Sequence, residues 1–274
     1  MNFTNYIFLE DMKQLARAYS DLLKDVPQDP EHHPEGNVLI HVKLVRKAIP
    51  KAILELKNLK NEEPFSSIFS KINFDVSTEE MDILILATWL HDIGKASATT
   101  INPKTGKLTA RGHQDPEHYL PQIENLLNVT PEKVKDFYLK NKDLIHFLIE
   151  RHMDLSMGGF SNKFLKQYYE NGVLKNSPEI KLLLVLMWAD KMGRTPETII
   201  SSLEKNKQKI ISSTERAMEQ SKATNKQPKK SFEGSPQQMM AMLKSKGLNR
   251  DQILMSIKKK FPDLGDEDIS QLFT

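Results

Sequence analysis

Apolar residues recur every three or four positions along most of the chain, a spacing that predicts amphipathic helices packed against one another. Thr78 is the expected N-cap of one such helix, and Gly94 follows its end. The run KLLLVLMWAD, which ends at Asp190, is apolar on nearly every side, so its helix is expected at the centre of a bundle. The predicted helices span 10–24, 37–59, 78–92, 115–127, 131–152 and 178–190.

Two stretches interrupt the helical pattern. Residues 96–112 are small, polar and rich in turn-forming types, which predicts a surface loop with a short hairpin. From about 220 to 235 the apolar residues give way to Lys, Ser, Gln and Pro, as in linkers. Helical patterning then returns in three short pieces. We therefore expect an all-α chain, with a helical bundle over 1–200, a basic helix and linker over 201–235, and a small helical module over 236–274.

Composition removes several classes of protein. The 274 residues include no cysteine, which excludes disulfides, thiolate nucleophiles and cysteine-ligated metals, so any metal must be held by His, Asp or Glu. No apolar run is long enough to span a bilayer, and Glu10 and Asp11 interrupt the apolar N-terminal stretch. We expect a cytoplasmic protein without a membrane partner.

The net charge of +3 is small, but its distribution is uneven. Between 201 and 230, eight basic residues oppose three acidic ones. Such a stretch is either a solvated helix face or a surface that binds a polyanion, and both interpretations stay open.

The eight histidines all lie between 32 and 152. His91 and Asp92 end a helix that is apolar on nearly every side, where a buried His-Asp pair is costly unless the two are hydrogen-bonded or bind a cation. His41 is expected to face inward from its own helix, and Asp190 ends the most apolar helix of the chain. Two imidazoles and two carboxylates suit Mn, Fe, Co, Ni or Zn, with Mg also possible. On an octahedral ion they leave two positions open for water and substrate.

These residues resemble the H…HD…D signature of the HD-domain metal-dependent phosphohydrolases, an all-α fold. The flanking segments HHPEG (32–36), GH (112–113), ERH (150–152) and ADKMGR (189–194) are similar to the HD domain at the C-terminal end of some bacterial tRNA nucleotidyltransferases. The resemblance covers residues 30–195, and we expect no nucleotidyltransferase domain ahead of it. One departure is His152-Met153-Asp154, where the resembling domains tend to have adjacent His and Asp.

The resemblance implies roles for further residues. Its metal ligands are His41, His91, Asp92 and Asp190, and Asp92 is also a catalytic residue. Lys95 would meet a phosphate oxygen, or alternatively would only balance a helix C-terminus. Arg194 would clamp phosphate, or lie at the surface. His113 and His152 would line the pocket as acid or phosphate donors, or hold a second metal ion.

Four other polar residues are expected outside the group of metal ligands and catalytic residues. His33 and Glu35 are expected at the pocket rim, His118 at the surface, and His146 on the same side of its helix as His152.

The resemblance also implies the activity. We expect hydrolysis of phosphate esters of nucleotides or RNA ends, by a phosphatase, 2′-nucleotidase or 2′,3′-cyclic phosphodiesterase. A hydrolase of small nucleotides, either dNTPs or cyclic nucleotides, is the alternative within enzymes. A third possibility is an HD scaffold that recruits a protein partner through 236–274, where apolar and methionine side chains offer an adaptable surface.

Overall fold

The computed structural model describes residues 9–31, 33–155, 159–194, 196–226, 234–245, 247, 249–262, 264, 265, 268 and 273. Helices form most of this part of the chain, which confirms the predicted all-α class. The helices described are α1 (Leu9–Leu23), α2 (Val38–Leu59), α3 (Phe65–Ile68), α4 (Thr78–Leu90), α5 (Lys95–Ala98), α6 (Pro116–Leu127), α7 (Glu132–Arg151), α8 (Asn162–Tyr168), α9 (Pro178–Met192), α10 (Pro196–Lys226), α11 (Pro236–Ser245) and α12 (Arg250–Lys260).

Two antiparallel hairpins accompany the helices. The first pairs β1 (Thr100–Ile101) with β2 (Leu108–Thr109), with Thr100 opposite Thr109. It confirms the hairpin predicted within 96–112. The second pairs β3 (Tyr169–Glu170) with β4 (Val173–Leu174) and was not foreseen, because its two-residue strands are too short to give an alternating pattern.

The chain divides into two compact units between Glu219 and Gln220. In the first unit α9 packs against α2, α4 and α7, and every residue from Leu182 to Met192 is buried. This confirms the central position predicted from its all-round apolar sequence. Because α9 is buried on every side, the polar Asp190 near its end is buried as well.

The start of α4 differs from the prediction by one residue. Ser77, rather than Thr78, is the N-cap, and its side chain accepts a hydrogen bond from the backbone of Glu80. The Glu80 carboxylate in turn accepts from the backbone N–H of Ser77, which completes a capping box. Both Ser77 and Thr78 carry a hydroxyl, and the Glu three residues later selects Ser77.

Helix α10 continues to Lys226, beyond the point near 220 where the composition changes. In the second unit, α11 and α12 enclose a small core of Leu243, Ile253 and Ile257. Asn249 caps α12 through a capping box with Gln252. The third predicted piece, from about 265, lies mostly outside the described residues. None of the described helices is both long enough and apolar enough to cross a bilayer.

Candidate metal centre

The four ligands predicted from the sequence meet at one buried place. His41 lies on α2, His91 and Asp92 directly follow α4, and Asp190 lies in the last turn of α9. All four are buried. Nε2 of His41 is 3.0 Å from Oδ1 of Asp190 and 3.7 Å from Oδ2 of Asp92. Nε2 of His91 is 3.5 Å from the same Asp92 oxygen. One ligand atom each from His41, His91 and Asp190 fits within 4.8 Å.

Close helix packing creates this meeting point. A Cβ placed on Gly193, just after α9, would lie 2.5 Å from Cγ2 and 2.8 Å from the backbone nitrogen of Val45 on α2. Only a glycine allows the end of α9 to approach α2 so closely. This approach brings His41 and Asp190, each on one of the two helices, within 3.0 Å of each other.

The His91 ring is oriented by its own helix. Its Nδ1 lies 2.8 Å from the carbonyl oxygen of Thr88. A carbonyl only accepts hydrogen bonds, so Nδ1 must carry the proton, and Nε2 of the neutral ring has an exposed lone pair. Nε2 of His91 is buried and has no hydrogen-bond partner among the described residues. A buried imidazole nitrogen with a lone pair and no hydrogen-bond partner could bind a metal ion.

His113 and His152 repeat this arrangement on the other side of Asp92. Nδ1 of His113 lies 2.8 Å from the carbonyl oxygen of Ala110, and Nδ1 of His152 lies 2.6 Å from that of Ile149. Their Nε2 atoms are 3.1 Å apart, and Oδ1 of Asp92 is 3.0 Å from the first and 3.7 Å from the second.

This second group brings two imidazole nitrogens and a carboxylate oxygen close together. Three such atoms at these distances require a proton or a metal ion among them. Burial lowers the pKa of His152 well below its usual value, which disfavours the proton. His113, His152 and Asp92 could therefore hold a metal ion together. The other oxygen of Asp92 faces His41 and His91.

Glu35 takes part more directly than a pocket-rim residue would. Its Oε1 lies 2.7 Å from Nδ1 of His41 and 2.9 Å from Nδ1 of His33, and its side chain is buried. A carboxylate this close to Nδ1 of His41 attracts positive charge to that side of the ring and leaves Nε2 for a metal. His33, Glu35 and His41 are also close enough together to form a third possible ligand group. The acid–His spacing in the sequence gave no signal for this contact, because an irregular loop carries Glu35.

Two buried lysines neutralise the carboxylates. Nζ of Lys95 lies 2.8 Å from Oδ2 of Asp92, and Nζ of Lys191 lies 2.8 Å from Oδ2 of Asp190. Burial by itself would raise the pKa of each carboxyl, but the ammonium group of Lys95 holds the pKa of Asp92 well below its usual value. Lys191 and His41 do the same for Asp190. Both side chains are therefore ionised at neutral pH, the form in which carboxylates bind metals.

The pKa of His41 is set by two opposing effects, burial and nearby carboxylates. Burial lowers its pKa, but the carboxylates of Asp190 and Glu35 outweigh burial and raise the pKa above the usual value. The site thus attracts positive charge at His41 Nε2. A metal ion would take the place of that proton.

A cavity of about 500 Å³ leads to these side chains. Asp92, Asp190, His113 and His152 line it, together with Lys95 and Arg194. Much of the remaining wall comes from residues 27–29 and His33, and from the β1–β2 hairpin with the turn that follows it. Lys95 is also held by Gln28, whose Oε1 accepts a hydrogen bond from Nζ at 2.7 Å. Sequence reasoning missed Gln28, which has no pattern of its own.

The other histidines lie elsewhere. The ring of His118 on α6 is half-buried beside Ser97, with Nδ1 3.2 Å from the hydroxyl, rather than free at the surface. His146 on α7 lies 2.6 Å from the hydroxyl of Tyr138 and belongs to none of the candidate ligand groups found among the described residues. His32 lies outside the described residues.

The side chains present fit a divalent metal ion. Nitrogen and oxygen donors in mixed sets suit Mn, Fe, Co, Ni or Zn, and the donor atoms of each candidate group lie within 4.8 Å of one another. The open cavity beside the donors leaves room for water and for a ligand, as catalytic metal sites require.

Comparisons of the chain with models of protein families, with curated proteins and with solved structures gave no match. The resemblance to HD-domain phosphohydrolases therefore rests on the residues themselves. Independently of that resemblance, the chain has an all-α fold and buried His and Asp side chains that could bind a metal ion.

Proposed function

We propose that the protein is a metal-dependent phosphohydrolase that cleaves phosphate esters of nucleotides or RNA ends. The observation that carries this proposal is the position of Asp92. Its two oxygens face two groups of histidine Nε2 atoms at the inner end of a cavity that also presents Lys95 and Arg194. Ligands for cations and binding groups for phosphate thus share one cavity.

Different residues would bind the metal ion and the phosphate group. His41, His91, Asp92 and Asp190 would hold a divalent ion, whose chemistry when bound would be that of a Lewis acid for a phosphoryl oxygen and for water. Arg194 offers a planar guanidinium that suits two phosphate oxygens at once. Lys95 lies beside Asp92 with its ammonium group at the cavity wall, where it meets a third oxygen.

The test measures bound metal and turnover on the same preparations. Wild type and Asp92→Asn are assayed for metal by mass spectrometry and for release of phosphate from p-nitrophenyl phosphate, a nucleotide panel and an RNA with a 2′,3′-cyclic end. We expect wild type to bind metal and to show turnover that a chelator abolishes, and Asp92→Asn to lose both.

A matched control is available on the same helix. Asp82 is buried on α4 but belongs to none of the candidate ligand groups among the described residues. Asp82→Asn should keep metal and turnover. Wild type that binds no metal and hydrolyses none of these substrates would refute the proposal.

A further inference from the structure

The outer part of the cavity carries a cation that the metal centre does not use. Arg111 lines the cavity from the turn between β2 and α6, and its side chain is exposed. It precedes His113 by two residues, so their Cα atoms are at most about 7 Å apart. The turn is held in place because His113 itself contacts the carbonyl oxygen of Ala110.

The other rim cation is already neutralised. Lys107 lines the cavity, and its Nζ lies 2.6 Å from Oε1 of Glu31. Arg111, in contrast, has no carboxylate within ion-pair distance in the part of the chain that the structure describes. Its guanidinium is therefore available to an incoming anion.

The cavity wall offers phosphate and sugar contacts but no stacking platform. Its described lining residues include Asn102, Thr105 and Thr109, and no Phe, Tyr or Trp. Proteins that hold a nucleobase tightly use an aromatic face for it. The recognition available here is of charge and hydroxyl groups.

We propose that Arg111 binds a second anionic group of the substrate, outside the phosphate that reacts at the metal centre. The substrate class is then a phosphate ester with another phosphate nearby, such as a nucleoside bisphosphate or the end of a polynucleotide. This inference rests on the proposed function for the reacting phosphate. Arginine suits the role because its planar fork pairs with two phosphate oxygens.

The test compares adenosine 2′-phosphate with adenosine 2′,5′-bisphosphate, which differ only by the second phosphate. We expect wild type to favour the bisphosphate in kcat/KM by about tenfold, the size of one charge-assisted hydrogen bond that is partly screened. Arg111→Gln should bring that ratio close to one, and Arg111→Lys should give an intermediate ratio. Lys104→Gln, an exposed change in the same hairpin and outside the cavity lining, should keep the wild-type ratio.

A second readout does not depend on turnover. Calorimetric titration of both nucleotides in the presence of EDTA should give a lower Kd for the bisphosphate, by a similar factor, in wild type but not in Arg111→Gln. If wild type hydrolyses neither compound, the proposed function fails while the titration still decides the role of Arg111. Equal Kd values for the two nucleotides in wild type, or a preference that survives Arg111→Gln, would overturn the inference.

Two further substrates distinguish whether the second phosphate belongs to a small nucleotide or to a polynucleotide. A short RNA with a terminal 2′-phosphate should lose kcat/KM steeply between 50 and 200 mM salt if several backbone phosphates bind, because each contact releases counterions. A shallow decrease equal to that of the bisphosphate assigns the site to a small nucleotide. Replacing adenine by uracil in the bisphosphate should change kcat/KM less than removing its 5′-phosphate, and the opposite order contradicts the inference.

Discussion

Oε1 of Glu35 lies 2.7 Å from Nδ1 of His41, and both side chains are buried. The carboxylate fixes the ring so that Nε2 faces Asp190 and Asp92. Contacts of this kind around metal-binding histidines typically change affinity by about 10- to 100-fold when removed. We therefore expect Glu35→Ala to weaken metal binding by about that factor, as measured by titration with Mn²⁺ or Zn²⁺.

A control in the same loop separates this effect from general damage. Glu31 is exposed and pairs with Lys107, away from His41. Glu31→Ala should keep the wild-type metal affinity. Equal affinities in Glu35→Ala and wild type would show that His41 needs no such support.

Lys95 can be tested for a role beyond balancing the partial charge at a helix C-terminus. Its Nζ lies 2.8 Å from the buried Oδ2 of Asp92. Removing one partner of a buried ion pair costs about 3–5 kcal/mol, because the other charge is left alone in a poor solvent. We expect Lys95→Met to lower the free energy of unfolding by about 3 kcal/mol in EDTA. Bound metal would also neutralise Asp92, so the loss should shrink when metal is present.

Urea unfolding of wild type and Lys95→Met, each with and without metal, measures this difference. A cation that only balances a helix C-terminus contributes about 0.3–1 kcal/mol. A small loss that does not depend on metal would therefore assign Lys95 to that lesser role.

Gly94 is expected to be essential for the position of His113. A Cβ at Gly94 would lie 2.0 Å from the carbonyl oxygen of His113, which is rigid backbone. Gly94→Ala should cost about 3 kcal/mol in unfolding free energy and reduce the number of metal ions bound. Gly106→Ala is the matched control, because Gly106 has φ +69° and an added Cβ would meet nothing within 4 Å. That change should cost only about 1 kcal/mol of backbone strain and keep the metal.

Much of the helical framework could be predicted, because each long helix carries its own periodic pattern. The central position of α9 followed from its apolar sequence on all sides. The polar residues at the ends of α4 and α9 were predicted to meet because an unpaired polar group is costly to bury. That reasoning reached His41, His91, Asp92 and Asp190. The resemblance added His113 and His152, for which the helical pattern alone carried no signal.

The supporting contacts could not be predicted in the same way. Glu35 and Gln28 lie in an irregular segment between α1 and α2, whose path is set by tertiary contacts and not by local periodicity. Gln28 and Lys95 are 67 positions apart in the sequence, and no pattern in it would pair them. The orientation of the histidine rings likewise depends on backbone carbonyls that only the folded chain brings into place.

The half-buried His33 predicts how the metal-free protein responds to acid. Burial lowers the pKa of His33 from 6.5 to about 4, and the adjacent Glu35 carboxylate offsets this only in part. Between these pH values the unfolded chain binds more protons at this residue than the folded protein does. The free energy of unfolding therefore falls as the pH decreases from about 6.5, and is restored as it rises.

The size of this effect follows from one pKa unit being about 1.4 kcal/mol. From pH 7 to pH 5, His33 should cost the folded state about 2 kcal/mol. Burial also lowers the pKa values of His91 and His152, so they add to the loss, whereas the raised pKa of His41 opposes it. His33→Asn should therefore show a smaller decrease than wild type in urea unfolding at the two pH values in EDTA. If the two proteins lose the same free energy over this range, His33 is charged or solvent-accessible in the folded state.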